Sequence, residues 1–152
     1  MNRRRMWGCL LLLLLLSLGG CAGNGQGLDE NGNPIGSGGD GGLPVAFDPT
    51  FQNIQKNVFT PICTACHAGP AAPQGLILDE TNSYALLVNH GSTERPDLLR
   101  VNPGNPDQSY LVQKLEGAPG IVGAQMPFNL PPLPQTTINA IRVWIARGAP
   151  HD

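Results

Sequence analysis

The sequence predicts an all-α domain, a set of short helices packed around a bound group that is not protein, preceded by an exported and tethered N-terminus. Three observations lead there. Apolar residues recur at helical spacing in separate stretches, among them Phe51, Ile54, Val58 and Ile138, Ile141, Trp144, Ile145. With 20 glycines, 15 prolines and only seven aromatic residues beyond position 20, the chain is short of apolar bulk for an ordinary core, and a further apolar body has to supply it. The third observation is the pentapeptide Cys63-Thr64-Ala65-Cys66-His67, whose C-x-x-C-H form is the attachment sequence of a covalent c-type haem.

Residues 1–20 have the three parts of an export signal: Arg3 to Arg5, an apolar run from Met6 to Leu18 with seven consecutive leucines, then small residues. Thirteen apolar residues are too few to span a bilayer, which takes about 20. The closing Leu18-Gly19-Gly20-Cys21 resembles a bacterial lipoprotein lipobox, which implies cleavage before Cys21, acylation of that cysteine and stable anchoring through several chains. Ala22 rather than Asp at the next position favours, by the same resemblance, the outer membrane with the domain facing the periplasm. Loss of the signal leaves six basic and eleven acidic residues, a net charge of −5, and no basic patch for nucleic acid.

Residues 21–46 read as the lipidated cysteine and a flexible linker, with nine glycines and no apolar period. Such a tether spans roughly 25 to 30 Å. Asp29-x-Asn31-x-Asn33 is like the start of an EF-hand loop, but Pro34 stands where the sharp-turn Gly belongs and Asp40 where the Glu belongs, so calcium is not expected.

Residues 47–152 are expected to form the folded domain. Asp48 suits an N-cap and Pro49 the first helical position, and the helix then leads through Thr60-Pro61 into the pentapeptide. Gly75-Leu76-Ile77-Leu78 is a short apolar passage fit to line the haem edge. A second helix is predicted over residues 81–88, with Tyr84, Leu87 and Val88 on one face. A third is predicted from Pro106, capped by Asn105, burying Tyr110, Leu111 and Leu115 and leaving Gln113 and Lys114 in solvent. The last, over residues 135–147, has its apolar residues within about 120° of arc. Gly148 sits at its left-handed cap, Pro150 stops it, and the expected partner is the face of Phe51, Ile54 and Val58.

In the pentapeptide, thiols at i and i+3 of a helical turn lie on one side, each able to form a thioether to a porphyrin vinyl group, and His67 brings an imidazole to the iron. Other uses of Cys63 and Cys66 are a zinc site, which needs two histidines and a different spacing, a thioredoxin-like pair, which needs a preceding strand, and a plain disulfide, which leaves His67 unexplained. On the far side of the iron the candidate is Met126, since Met1 and Met6 leave with the signal. It lies in a proline-stiffened stretch running to Pro134. His90, in a turn-like Asn89-His90-Gly91-Ser92, is the competing ligand, and His151 lies in a tail expected to fray.

Beyond the pentapeptide, four further stretches follow in order: Gly75-Leu76-Ile77-Leu78-Asp79, the run Val101-Asn102-Pro103-Gly104-Asn105-Pro106-Asp107-Gln108-Ser109-Tyr110-Leu111, Met126-Pro127, and the run from Ile141 to Pro150. In this series residues 59–150 resemble the planctomycete-type cytochrome c domain and related mono-haem domains of bacterial lipoproteins. The resemblance implies an all-α, cytochrome c-like fold, one covalent haem c held by Cys63 and Cys66, His67 as proximal ligand and Met126 as distal ligand. Gln125 stands where that family often has a basic residue, and Pro134 where a Ser cap is usual.

The expected function is electron transfer by a membrane-anchored mono-haem cytochrome, a carrier and not an enzyme. Its acidic surface suits a redox partner with a basic docking face. A peroxidase or gas-binding sensor, with Met126 absent or labile, is the alternative, and a haem-free metal-binding lipoprotein a third. No acid/base constellation accompanies Met126 in the local sequence.

Overall fold

The structure, a computed structural model, describes residues 43–152. The signal segment, Cys21 and the Asp29-x-Asn31-x-Asn33 pattern lie outside the described residues. The described chain is all-α, with four α-helices joined by single turns and by isolated bridge pairs such as Val88 with Val101.

Helix α1, Phe51–Ile54, starts two residues later than the Asp48-Pro49 reading. Thr50 caps it, its hydroxyl accepting from Asn53 N at 3.2 Å, while Thr50 N bonds back to Asp48 O and holds that residue in a turn. The helix widens at once into a π-helical turn, Gln55–Phe59, closed by Thr60 N to Gln55 O at 2.9 Å. Buried Gln55 is the hub of this region: its amide donates to Leu78 O at 2.9 Å and its carbonyl oxygen accepts from Ser83 Oγ at 2.6 Å. One side chain thus ties α1 to the passage after the pentapeptide and to α2, Ser83–Leu87.

The third predicted helix is broken in two. A single 3₁₀ turn, Pro106–Gln108, precedes α3, Tyr110–Glu116, because Ser109 is extended and its hydroxyl binds Asn105 O and Asn102 N, both at 2.9 Å. Tyr110 and Leu115 are buried as expected. Lys114 is not solvated: it is 8% exposed and turned inward.

Helix α4, Gln135–Ala146, follows the sequence reading closely, with Gly148 left-handed (φ 95°) after its end. Without a side-chain cap, it begins on Pro134 O, which accepts from Thr137 N and Ile138 N. Its buried face, Ile138, Ile141, Trp144 and Ile145, meets Phe51, Ile54 and Val58, with the Phe51 and Trp144 rings 5.6 Å apart. The Trp144 indole N–H, which burial would otherwise orphan, donates to Pro150 O at 2.9 Å.

Both ends of the domain differ from expectation. Pro44 to Ala46, read as linker, are fastened to α4 through Asn139 Nδ2 to Pro44 O (2.9 Å) and Ala46 N to Thr136 O (3.1 Å), with Val45 buried. The C-terminal tail is docked rather than frayed. His151 stacks on Tyr84 at 4.1 Å between ring centroids, and Asp152 Oδ1 accepts from Phe51 N at 2.8 Å, satisfying a free donor of the first turn of α1.

Candidate functional site

The pentapeptide follows α1 as a tight turn, Cys63–Ala65, because Ile62 N still bonds to Val58 O and carries the helical path forward. Cys66 N and His67 N both bond to Cys63 O, at 3.1 and 2.8 Å. The apolar passage then returns alongside: Leu78 N donates to His67 O at 2.8 Å, and the His67 ring meets Leu76 O through Nδ1 at 3.0 Å. A carbonyl only accepts, so Nδ1 carries a proton, and of the two neutral tautomers this is the one whose lone pair lies on Nε2. That tautomer is the one a metal-ligating imidazole uses when its second nitrogen is held by backbone.

Cys63, Cys66, His67 and Met126 all line one cavity of about 290 Å³, a size nearer to that of sites for small organic molecules than to the space a bare ion needs. Its walls are mainly apolar, with Leu76 and Leu78 from the passage, Leu87 from α2, Leu111 and Leu115 from α3, and Phe128 and Leu130 at an exposed rim. Two segments some sixty residues apart in sequence thus converge, the pentapeptide and the Met126 stretch. His90 and His151, the other histidines among the described residues, are exposed and do not line the cavity.

Burial, with the neighbouring Cys66 adding to it, pushes the Cys63 thiol up to about 12. A redox-active C-x-x-C pair needs the opposite, a thiolate stabilised near neutrality. Among the described residues no group of three or more His, Cys, Asp and Glu side chains gathers to hold a metal ion, so the histidines that a zinc site would add to Cys63 and Cys66 are not assembled. Both cysteines are free thiols, not a disulfide. Two thiols, an imidazole with a free Nε2 and a thioether around one apolar cavity do fit the donor set of a covalent haem.

Met126 is held by a fastening that local sequence reading missed. Its N–H donates to Lys114 O at 2.8 Å, and the Gln125 amide donates to Leu115 O at 2.7 Å. Lys114 Nζ reaches Val122 O at 2.7 Å and Glu94 at 3.2 Å, and the Tyr110 hydroxyl donates to Glu94 at 2.8 Å while accepting from Val122 N at 3.0 Å. Gln125 therefore makes a neutral tie to α3. Arg100 is a second omission: it lines the cavity and is 6% exposed, just before the run that begins at Val101. The signal that could have found both is a cation flanked by apolar residues, Leu99 with Val101 and Leu115 beside Lys114.

Comparison of the chain with protein-family models, with curated proteins and with solved structures returned no match.

Proposed function

We propose that this chain is a membrane-tethered, mono-haem c-type cytochrome that carries electrons in the periplasm. The observation that carries the reading is the convergence of Cys63, Cys66, His67 and Met126 on one apolar cavity. A haem bound there supplies a one-electron Fe(II)/Fe(III) couple. Cys63 and Cys66 hold it through thioethers, and the raised thiol pKa of Cys63 is removed as a concern once the sulfur carries carbon instead of a proton. His67 offers Nε2, oriented by Leu76 O. Met126 offers a thioether sulfur, which favours the ferrous state relative to a second imidazole. The bonds of Met126 N to Lys114 O and of the Gln125 amide to Leu115 O fix the backbone from which that sulfur would reach the iron.

The all-α architecture, with its first and last helices packed together and the cavity between the pentapeptide and the stretch after α3, supports a cytochrome c-like fold. Lipidation at Cys21 would provide the tether, as the lipobox-like Leu18-Gly19-Gly20-Cys21 suggests. A partner with a basic face would meet the acidic domain, raising the association rate more than the affinity. Adding ascorbate or dithionite to protein matured in a c-type host tests the reading. A low-spin spectrum in both oxidation states is expected. Rapid carbon monoxide binding by the ferrous form would instead mark a labile Met126 and favour the gas-binding or peroxidase alternative.

A further inference from the structure

The chain enters and leaves the His67 region through one neck, and Gln55 closes it. Gln55 is buried at the head of the π-helical turn. Its Nε2 donates to Thr60 Oγ1 at 3.1 Å on the way in and to Leu78 O at 2.9 Å on the way out. Thr60 stands three residues before Cys63 and Leu78 eleven after His67, so one amide joins both ends of a loop that holds the whole pentapeptide. The partners also fix which way the amide faces. A carbonyl can only accept, so Nε2 meets Leu78 O, and the buried Ser83 hydroxyl donates to Oε1 at 2.6 Å. The π-helical path adds Thr60 N to Gln55 O at 2.9 Å, so backbone and side chain of Gln55 grip the same residue.

Both bonds that hold His67 to the returning passage come from this exit side. Leu76 O faces Nδ1 at 3.0 Å, and Leu78 N donates to His67 O at 2.8 Å. Leu78 therefore has its N–H on His67 and its carbonyl on Gln55, and its burial leaves that carbonyl no solvent to turn to. We propose that Gln55 is a positioning residue for His67: by holding Leu78 it sets how closely Leu76 O approaches Nδ1, and through that bond how strongly the imidazole donates to iron. The inference rests on the haem reading above and adds to it a residue that tunes the reduction potential. Gln55 does not line the cavity, so its route to the metal runs through the passage. A hydrogen bond accepted from the second ring nitrogen raises the basicity of a ligating imidazole, and a more basic ligand favours ferric iron.

The test separates this role from mere filling of a buried site by comparing holo-protein with its Gln55→Met and Ser83→Ala variants. Gln55→Met removes the bonds to Thr60 Oγ1 and Leu78 O, whereas Ser83→Ala spares both and strips only Oε1. Each leaves a buried polar group unpaired, so both variants lose stability in denaturant. In ferrous Gln55→Met alone the His67 Nδ1–H proton resonance moves upfield and the midpoint potential rises, because a weaker bond makes the imidazole a poorer donor. Retained haem in Gln55→Met with resonance and potential unchanged overturns the role and leaves the cytochrome reading standing. So does a Ser83→Ala potential shifted as far as that of Gln55→Met, since the effect would then follow lost stability. If Gln55→Met does not mature, hydrogen exchange in the ferrous parent decides: the Gln55 Nε2 protons are expected to open together with Leu78 N–H. Free exchange at Gln55 beside a protected Leu78 overturns the proposal. Parent protein without covalent haem overturns the cytochrome reading and this role with it.

Discussion

Lys114 joins backbone and side-chain chemistry at one position: its carbonyl receives Met126 N, and its ammonium bridges Glu94 and Val122 O. Lys114→Met keeps the apolar stem but leaves Glu94 with the Tyr110 hydroxyl alone and removes the bond to Val122 O, so that Val122 is held only through its N–H to Tyr110. We expect a loss of about 1–3 kcal/mol in denaturant unfolding and faster binding of carbon monoxide or imidazole to the haem-loaded protein. Unchanged ligand-binding rates would show that Met126 does not depend on this tie. Met126→Ala is expected to retain covalent haem, since the thioethers are untouched, while losing the native low-spin bands and shifting the potential downward. That Cys63 and His67 lie together at the cavity was legible from the sequence, because they belong to five adjacent residues. Lys114, Glu94, Arg100 and Gln55 were not, because their partners lie 8 to 28 residues away and only the fold brings them together. His151 was misplaced for the same reason, its aromatic partners being on α1 and α2.

Among the elements, α3 and the stretch from residue 117 to 134 decide where the distal sulfur stands. Gly117 ends α3 at φ 66°, and a Cβ there would come within 2.8 Å of Gln125 Oε1, the side chain that also donates to Leu115. Both the backbone and the contact require glycine. Gly117→Ala should cost about 1–3 kcal/mol in denaturant unfolding, and, because the displaced side chain is next to Met126, should also weaken the native haem spectrum. A stability loss with the spectrum intact would mean that Gln125 can move without carrying Met126. Helix α4 was readable from period and caps alone, since it is the longest helix described and its apolar stripe runs its whole length. The third helix was misread at Ser109, where a hydroxyl competing for two backbone groups overrides the proline start signal. The π-helical turn of Gln55–Phe59 has no such local mark; Gln55 reaches across to Leu78 and Ser83, contacts that only the folded chain contains.

At the scale of the whole molecule, the core is one cluster that runs from the α1–α4 contact up to Cys63, Leu76 and Met126 at the cavity. A porphyrin in that cavity would continue the core rather than sit on it, adding the apolar bulk that a chain so poor in aromatic residues lacks. Cys63→Ala/Cys66→Ala protein, lacking haem attachment, is therefore expected to unfold at lower denaturant concentration and with a smaller m-value than the holo-protein. The pH dependence differs in sign-specific fashion. The Cys63 thiol is raised from 9.0 to about 12 in the folded chain, so apo-protein with both cysteines holds its full stability below pH 9 and loses it as the pH climbs toward 12. Haem-loaded protein has no thiol there, and this alkaline loss should vanish. A parallel loss in both forms would place its origin elsewhere. The most direct test of the account is intact mass together with a pyridine haemochrome spectrum of the mature, membrane-extracted protein. The account predicts one covalent haem per chain and a mass that includes acyl groups on Cys21; colourless protein at the mass of the unmodified polypeptide would contradict it.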